Sequence, residues 1–136
     1  MAGDKPMTIF SLTERAMSAQ MVRMNAATSN LANAGSVASS EADAYRPIRA
    51  VFTTELDRAS GLASVRSAGL VRAEAAPIKR YDPGHPLADA EGFVFEAGVD
   101  ESAEMVEIME SARQYQNMVQ VLQTAKQLML ETLRSD

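Results

Sequence analysis

Two long stretches without proline or glycine, one near each end of the chain, constrain the fold more than any other feature of the sequence. They run from about residue 8 to residue 33 and from about residue 101 to residue 133. Between them, residues 36–99 hold four of the five prolines and five of the seven glycines. Because proline and glycine interrupt regular helices, this distribution predicts two long terminal helices that flank a turn-rich insert.

The N-terminal stretch has the periodicity of one amphipathic helix. Large apolar residues recur every seven positions, at Phe10, Met17, Met24 and Leu31. The run Ser11-Leu12-Thr13-Glu14 has the pattern of a capping box, so the helix should start there or one turn earlier. We expect it to end near Asn33-Ala34-Gly35, because Asn and Gly tolerate left-handed backbone angles.

The insert is predicted to be a small β-rich region with long loops. Strand-like runs occupy residues 48–54, 64–73 and 92–96. Asp82-Pro83-Gly84 is a turn sequence, because proline fixes the backbone angle that the first corner of a turn requires.

The C-terminal stretch carries two apolar rows at heptad spacing. One row contains Met105, Ala112, Val119 and Leu133, with Lys126 as its single polar member, and the other contains Ile108, Tyr115, Leu122 and Met129. Asp100 or Ser102 can cap this helix, and Glu101, Glu104 and Glu107 are expected to form a solvated first turn near the positive end of the helix dipole.

The length of the second helix bears on whether the chain acts alone. About 33 helical residues span roughly 50 Å, whereas a compact domain of this length has a radius of gyration of only about 14 Å. The helix should therefore extend past the rest of the domain and expose apolar rows, as at an assembly interface. An ordinary monomeric helical bundle explains the same rows, and periodicity does not separate the two possibilities.

Composition excludes several classes of function. The chain has no Cys and one His, so disulfides, thiol nucleophiles and His-pair or Cys-ligated metal sites are excluded. Its net charge of -5 argues against nucleic-acid binding, and neither a serine elbow nor a phosphate-binding glycine loop is present.

Asp82 and His85 are the nearest approach to a reactive pair. A catalytic or metal site would need a third group, which only Asp89 and Glu91 could supply, whereas a rigid turn whose His makes one hydrogen bond explains the same residues. We therefore predict no catalytic, cofactor or metal site and no enzyme activity. No signal peptide and no membrane-spanning segment are apparent either.

Three groups of residues resemble a known family. Ser29-Asn30-Leu31-Ala32-Asn33-Ala34, followed by Tyr45-Arg46, resembles the signature that closes the N-terminal helix of flagellar rod and hook proteins. The runs 81–89 and 91–94 are similar to those of the bacterial flagellar basal-body rod family, in particular its proximal-rod members. Residues 99–126 resemble the C-terminal helix of the same family, although Gly98 stands where an Asn is usual, and 117–118 also depart from the usual pattern.

The resemblance implies a structural subunit of the proximal rod, part of the drive shaft that transmits torque from motor to hook. Implied partners are other proximal and distal rod subunits, the adaptor protein that joins the rod to the MS ring, and copies of itself. The implied location is the rod within the periplasmic space, reached through the flagellar type III export apparatus without a cleaved signal peptide. A soluble helical adaptor or secretion chaperone with a β insert is the alternative.

These expectations define one domain, mainly α with a small β-rich insert. Residues 1–36 and 100–136 would form the assembly core, with the two helices paired as a coiled coil, and residues 37–99 the insert. The residues predicted at the assembly interface are Phe10, Met17, Met24, Asn30, Leu31, Asn33, Met105, Ile108, Ala112, Tyr115, Gln116, Val119, Leu122 and Met129. The residues predicted to make a loop contact are Tyr81, Asp82, Pro83, His85 and Pro86.

Overall fold

A computed structural model describes residues 8–135 and confirms two long helices with a small antiparallel β region between them. The helices are α1 (Ile9–Ala32) and α2 (Glu101–Arg134). The strands are β1 (Val37–Ala38), β2 (Ile48–Asp57), β3 (Leu62–Arg72), β4 (Ile78–Tyr81) and β5 (Phe93–Glu96). The three predicted strands correspond to β2, β3 and β5, whereas β1 and β4 were not predicted.

Helix α1 starts one turn before the predicted capping box. Thr8 is the N-cap, and its hydroxyl oxygen accepts a hydrogen bond from the Ser11 backbone N–H at 3.2 Å. The Thr8 backbone N–H in turn donates to the Ser11 hydroxyl at 2.9 Å. Two free N–H groups of the first turn are thus satisfied, so the earlier of the two expected starts is confirmed and the start at Ser11 is wrong.

The end of α1 is close to its predicted place, but the predicted reason is wrong. Asn33 is the C-cap with a φ of -102°, and Gly35 is not among the described residues with positive φ. The Asn33 side-chain amide instead donates to the Ser29 carbonyl at 2.9 Å. A side-chain donor therefore satisfies a terminal carbonyl that a left-handed residue would otherwise have served.

Asn30 attaches the β2–β3 hairpin to α1. Its fully buried side-chain amide donates to the Ile48 carbonyl at 2.9 Å and accepts from the Ile48 backbone N–H at 2.8 Å. The Tyr45 hydroxyl donates to the same amide oxygen at 2.9 Å. The amide thus bonds to Ile48 as a neighbouring strand would, which no apolar residue could do.

A three-stranded sheet in the order β1–β5–β4 brings the two helices together. Strand β1 follows α1 and β5 precedes α2, and the two strands pair antiparallel, with Val37 opposite Glu96. The end of α1 therefore lies beside the start of α2, and the helices pack with opposite directions. Helix α1 also contacts β2 and β3, so it lies between the hairpin and α2.

Gly98 permits a close approach just before α2. A Cβ at this position would lie 2.5 Å from the Ala76 carbonyl oxygen, too close for any side chain without a backbone shift. The Asn that the family resemblance leads one to expect here would not fit this arrangement. The sequence departure at Gly98 therefore accompanies a specific packing of the segment between β4 and β3 against the start of α2.

The apolar core of the described chain consists mainly of small side chains. Of its seven buried hydrophobic residues, six are alanines and the seventh is Val94, on the central strand β5. Because an alanine buries little apolar area, this core stabilises the free chain less than leucines or phenylalanines would. Within residues 8–135, neither helix combines the length and apolarity needed to cross a membrane.

Candidate assembly interface

The row of α2 that begins at Ile108 divides into a packed and an unpacked part. Ile108, Tyr115 and Leu122 are half-buried on the side that faces α1. Met129 continues the row but is exposed. The spacing predicted one continuous row, and the structure covers only its first three members with residues of the same chain.

The other predicted row is turned partly away from α1. Ala112 and Val119 are half-buried, whereas Met105 and Leu133 are exposed. Gln116 is also exposed. On α1, Phe10, Met17, Met24, Leu31 and Asn33 are all half-buried. Whether these residues contact another subunit stays a prediction, and fully buried Asn30 can contribute to assembly only indirectly.

The last ten described residues of the chain extend beyond α1. With ~1.5 Å per residue, the 24 residues of α1 span about 36 Å and the 34 residues of α2 about 51 Å. The end of α1 lies beside the start of α2, so the far end of α2 extends roughly 15 Å beyond the described start of α1. We call residues 126–135 the overhang; all of them are exposed.

Large apolar side chains dominate the overhang. Leu128, Met129, Leu130 and Leu133 are between 50% and 66% exposed. A free monomer gains nothing from four such side chains in water, and clustered apolar surface of this kind marks interaction sites. Among residues 8–135, α2 thus extends past α1 and exposes apolar side chains, as the sequence predicts.

A second exposed apolar cluster lies on the outer side of the first half of α2. Met105, Val106 and Met109 are between 54% and 69% exposed. The β2–β3 hairpin adds a third exposed set, formed by Val51, Leu56, Val65, Leu70 and Val71. The pairing shifts between Val51 and Phe52, opposite Gly69 with a φ of 123°, so a bulge bends this ribbon.

Two ion pairs at the start of α2 correct the prediction of a solvated first turn. Glu104 is only 1% exposed, and its Oε1 lies 2.6 Å from Nη1 of Arg49 on β2. Glu107 accepts a hydrogen bond from Nε of Arg23 on α1 at 2.8 Å. Only Glu101 is exposed as expected. Helical spacing could have predicted the burial of Glu104. Glu104 precedes Ile108 by four residues and so lies on the same face of the helix.

The hydrogen bond from Arg23 to Glu107 raises the pKa of Arg23 above its ordinary value, against the opposing effect of burial. Charge attraction to Glu107 and Glu110 adds to the increase. Stability from a raised pKa is fully present below the ordinary value of the group and is lost only as the pH rises through the folded value. Arg23 therefore stays charged at every physiological pH.

The loop between β4 and β5 is closely fixed by its own hydrogen bonds. The Asp89 carboxylate accepts from the backbone N–H groups of Glu91 and Phe93, each at 2.9 Å. Gly92 has a φ of 88°, and a Cβ there would lie 2.9 Å from the Tyr81 ring. Only glycine satisfies both conditions, which fixes the loop against the edge of β4.

The residues predicted for a loop contact lie together on this structure. The Asp82 carbonyl accepts from the His85 backbone N–H at 3.1 Å, which confirms the predicted turn. The His85 Nδ1 accepts from the Leu87 backbone N–H at 3.0 Å, as expected for a His with a structural role. Tyr81 is 64% exposed, with its ring 5.2 Å from that of Phe93, and Pro83 and Pro86 are exposed beside it.

The described part of the chain holds no group of three or more His, Asp or Glu side chains that could bind a metal ion. Asp82 and His85 are thus held in a turn without a third ligand among residues 8–135. Their arrangement orders a loop and offers its exposed rings and prolines as surface.

Comparisons with known proteins agree with this geometry. The family model described as the flagellar basal body rod FlgEFG protein C-terminal region matches residues 90–135, which include all of α2. The chain is 39% identical over 127 residues to the flagellar basal-body rod protein FlgC of Salmonella typhimurium, covering 93% of this chain and 95% of the relative. It is 40% identical over 127 residues to FlgC of Escherichia coli O157:H7, with the same coverage of both chains. It is 32% identical over 130 residues to FlgC of Buchnera aphidicola subsp. Acyrthosiphon pisum. Since these matches extend over nearly the whole chain, it belongs to the family of flagellar basal-body rod proteins named FlgC.

Proposed function

We propose that this chain is a structural subunit of the flagellar basal-body rod, in its proximal part, and that it has no enzyme activity. The observation that carries the proposal is the distribution of apolar side chains. Alanines form most of the core, whereas eighteen large hydrophobic residues among those described are exposed. Such a chain gains its main hydrophobic stabilisation only when other subunits cover that surface.

The mechanism is assembly through the terminal helices. Ile108, Tyr115 and Leu122 hold α2 on α1, and the exposed continuation of the same helix contacts neighbouring subunits. In the assembled rod the helices pair as a coiled coil, with the predicted interface residues at the seams. Burial of the exposed rows makes the assembled state much more stable than the free chain, because binding partners stabilise only the folded form. A rod built in this way is stiff enough to transmit torque.

The loop between β4 and β5 serves as a second contact in this proposal. Its fixed backbone presents Tyr81, Pro83 and Pro86 at the surface without a cost in loop ordering on binding. Tyrosine is favoured at such contacts, because it combines a large apolar ring with a polar hydroxyl. Asp82 and His85 shape this loop and do no chemistry.

The proposed partners are copies of this chain, other proximal and distal rod subunits, and the adaptor protein between rod and MS ring. The proposed location is the rod in the periplasmic space, after export through the flagellar type III apparatus. Family membership supports these assignments, because relatives with matching length carry the name of basal-body rod proteins.

Deletion of this protein from its own bacterium, followed by complementation with the unaltered chain or its variants, tests the proposal. A strain that lacks this protein should lose motility and regain it with the unaltered chain, and the chain should be recovered in isolated basal bodies. Leu122→Asp should prevent this recovery, whereas Gln123→Asp, on the exposed side of α2, should not. Recovery of a stable, discrete oligomer in the cytoplasm, with no chain in basal bodies, would instead support an adaptor or chaperone.

Limited proteolysis gives an independent measurement. In the free chain the overhang should be cut first, because it packs on nothing within the described residues. In isolated basal bodies the same bonds should resist the protease. Equal resistance of the overhang in both samples would mean that assembly does not cover it.

A further inference from the structure

A groove runs along α1 between the β2–β3 hairpin and α2. It has a volume of about 710 Å³. Its floor is lined by Ala16, Ala19, Ala26 and Ala27, its hairpin wall includes Phe52 and Val65, and its α2 wall includes Ala103, Glu104 and Met118. Small side chains on the floor allow another helix to approach α1 closely, because the distance between packed helices depends on the side chains at the contact.

Glu104 gives this groove an unmet hydrogen-bonding requirement. Its Oε1 pairs with Arg49, but its Oε2 is buried and has no hydrogen-bond partner among the described residues. A buried carboxylate oxygen without a donor costs free energy, so a ligand that brings a donor would be favoured here. The Arg49 side chain is half-exposed, and the terminal bond of a glutamate rotates easily, so Oε2 can be turned toward an occupant of the groove.

The overhang has the complementary chemistry. Lys126 is exposed and lies in the apolar row that contains Val119 and Leu133. A single Lys at such a seam position sets the register of helix pairing at some cost in stability. Lys126 follows Glu104 by about six turns on the same helix, roughly 33 Å away, so it does not reach the Glu104 of its own chain.

The groove and the overhang carry net charges of opposite sign. Arg23, Arg49, Glu104 and Glu107 line the groove, and Glu110 adds a negative charge close to Arg23. The overhang carries two cations, Lys126 and Arg134, against the single anion Glu131.

We propose that the overhang of one copy lies in the groove of a second copy, with the Lys126 ammonium bound to the free oxygen of Glu104. This inference rests on the proposed function and names one subunit contact within it. The contact joins two different surfaces, so repetition produces an open helical series of subunits and no closed dimer. Apolar side chains of the overhang supply the buried area, and the Lys–Glu pair fixes the position along the groove.

Cross-linking tests the contact directly, because the chain has no Cys and single-cysteine variants are unambiguous. Ala103→Cys marks the groove and Gln127→Cys marks the overhang. Within one chain these positions are about 36 Å apart on a single helix, too far for a short thiol-reactive cross-linker. Basal bodies from cells that express both variants should yield the 103–127 linked dimer, and a mixture with Ser39→Cys, at an exposed loop position, should not.

The role of Lys126 is tested in the same samples. Lys126→Glu places two carboxylates together and should reduce the linked dimer by about tenfold or more, whereas Lys126→Arg should retain it. Because Lys126 is exposed, neither variant should change the folding of the free chain, which circular dichroism checks.

The outcomes separate the two proposals. Two outcomes overturn the docking contact alone. In the first, the chain is present in basal bodies but the 103–127 link does not form, and in the second, Lys126→Glu leaves the yield of the link unchanged. A 39–127 link formed as efficiently in the control mixture also overturns it. Absence of the unaltered chain from basal bodies overturns the proposed function, and the docking contact with it.

Discussion

The two ends of α2 are similar in sequence and different in surroundings. From Ile108 to Leu122 the inward row is half-buried against α1, whereas Met129 continues the same row in the overhang and is exposed. Apolar periodicity therefore indicates which side of a helix is to be buried, but it does not indicate whether residues of the same chain or of another chain bury it. The packed end stabilises the free chain, and the overhang leaves its large apolar side chains exposed.

The largest effect is expected at the packed end. Leu122→Asp places a charge between the two helices and should lower the free energy of unfolding of the free chain by roughly 2–4 kcal/mol. Urea unfolding followed by circular dichroism measures this change. Gln123→Asp is the matched control on the exposed side. Equal stability of the two variants would mean that this row does not hold α2 on α1.

A smaller loss is expected where the hairpin joins α1. Asn30→Ala leaves Ile48 and Tyr45 without their buried partner and should cost about 1–3 kcal/mol. The Ile48 backbone N–H should also exchange its hydrogen faster, since its acceptor is gone. Asn25→Ala, at an exposed position of the same helix, should change neither quantity. Unchanged exchange at Ile48 would show that Asn30 does not hold the hairpin.

The junction that brings the helices together is sensitive to size. Gly98→Ala should lower stability by about 1–2 kcal/mol, because the new methyl group meets the Ala76 carbonyl. Gly35→Ala is the control, as a Cβ there would have no neighbour within 4 Å. Thermal unfolding of the two variants gives the comparison, and equal midpoints would argue against close packing at Gly98.

The overhang should show almost no effect on the free chain. Leu133→Asp is expected to change the free energy of unfolding by no more than about 0.5 kcal/mol, because Leu133 is already exposed. The same variant should lose most of its incorporation into basal bodies, since it places a charge where a neighbour packs. Glu131→Gln, on the outer side of α2, is the control. Normal incorporation of Leu133→Asp would remove the overhang from the assembly surface.

Local chemistry made the helices predictable. Both terminal helices lie where the sequence places them, because the absence of Pro and Gly and the heptad spacing act within one segment. Asp100 caps α2 through a hydrogen bond to the Ala103 N–H at 3.2 Å, as one of the two expected caps, and Ser102 is not needed for this role. The strands that correspond to β2, β3 and β5 were also visible as apolar, β-branched runs.

Other features depend on partners that are distant in sequence. Strands β1 and β4 have only two and four residues and exist because each pairs with β5. Short segments of this kind carry no periodicity of their own. The burial of Glu104 likewise depends on its ion pair with Arg49 on β2. The acidic residues at the start of α2 do not by themselves reveal this distant partner.

The sequence by itself determined the two amphipathic helices, their lengths and the family to which the chain belongs, because these follow from local spacing and from ordered motifs. The tertiary structure alone decided which apolar residues the chain covers for itself. It paired β1 with β5, set the ends of α1 and α2 side by side, and so left the longer helix extended beyond the shorter one. The physical reason is that burial is a property of neighbours in space, which spacing along one segment does not specify.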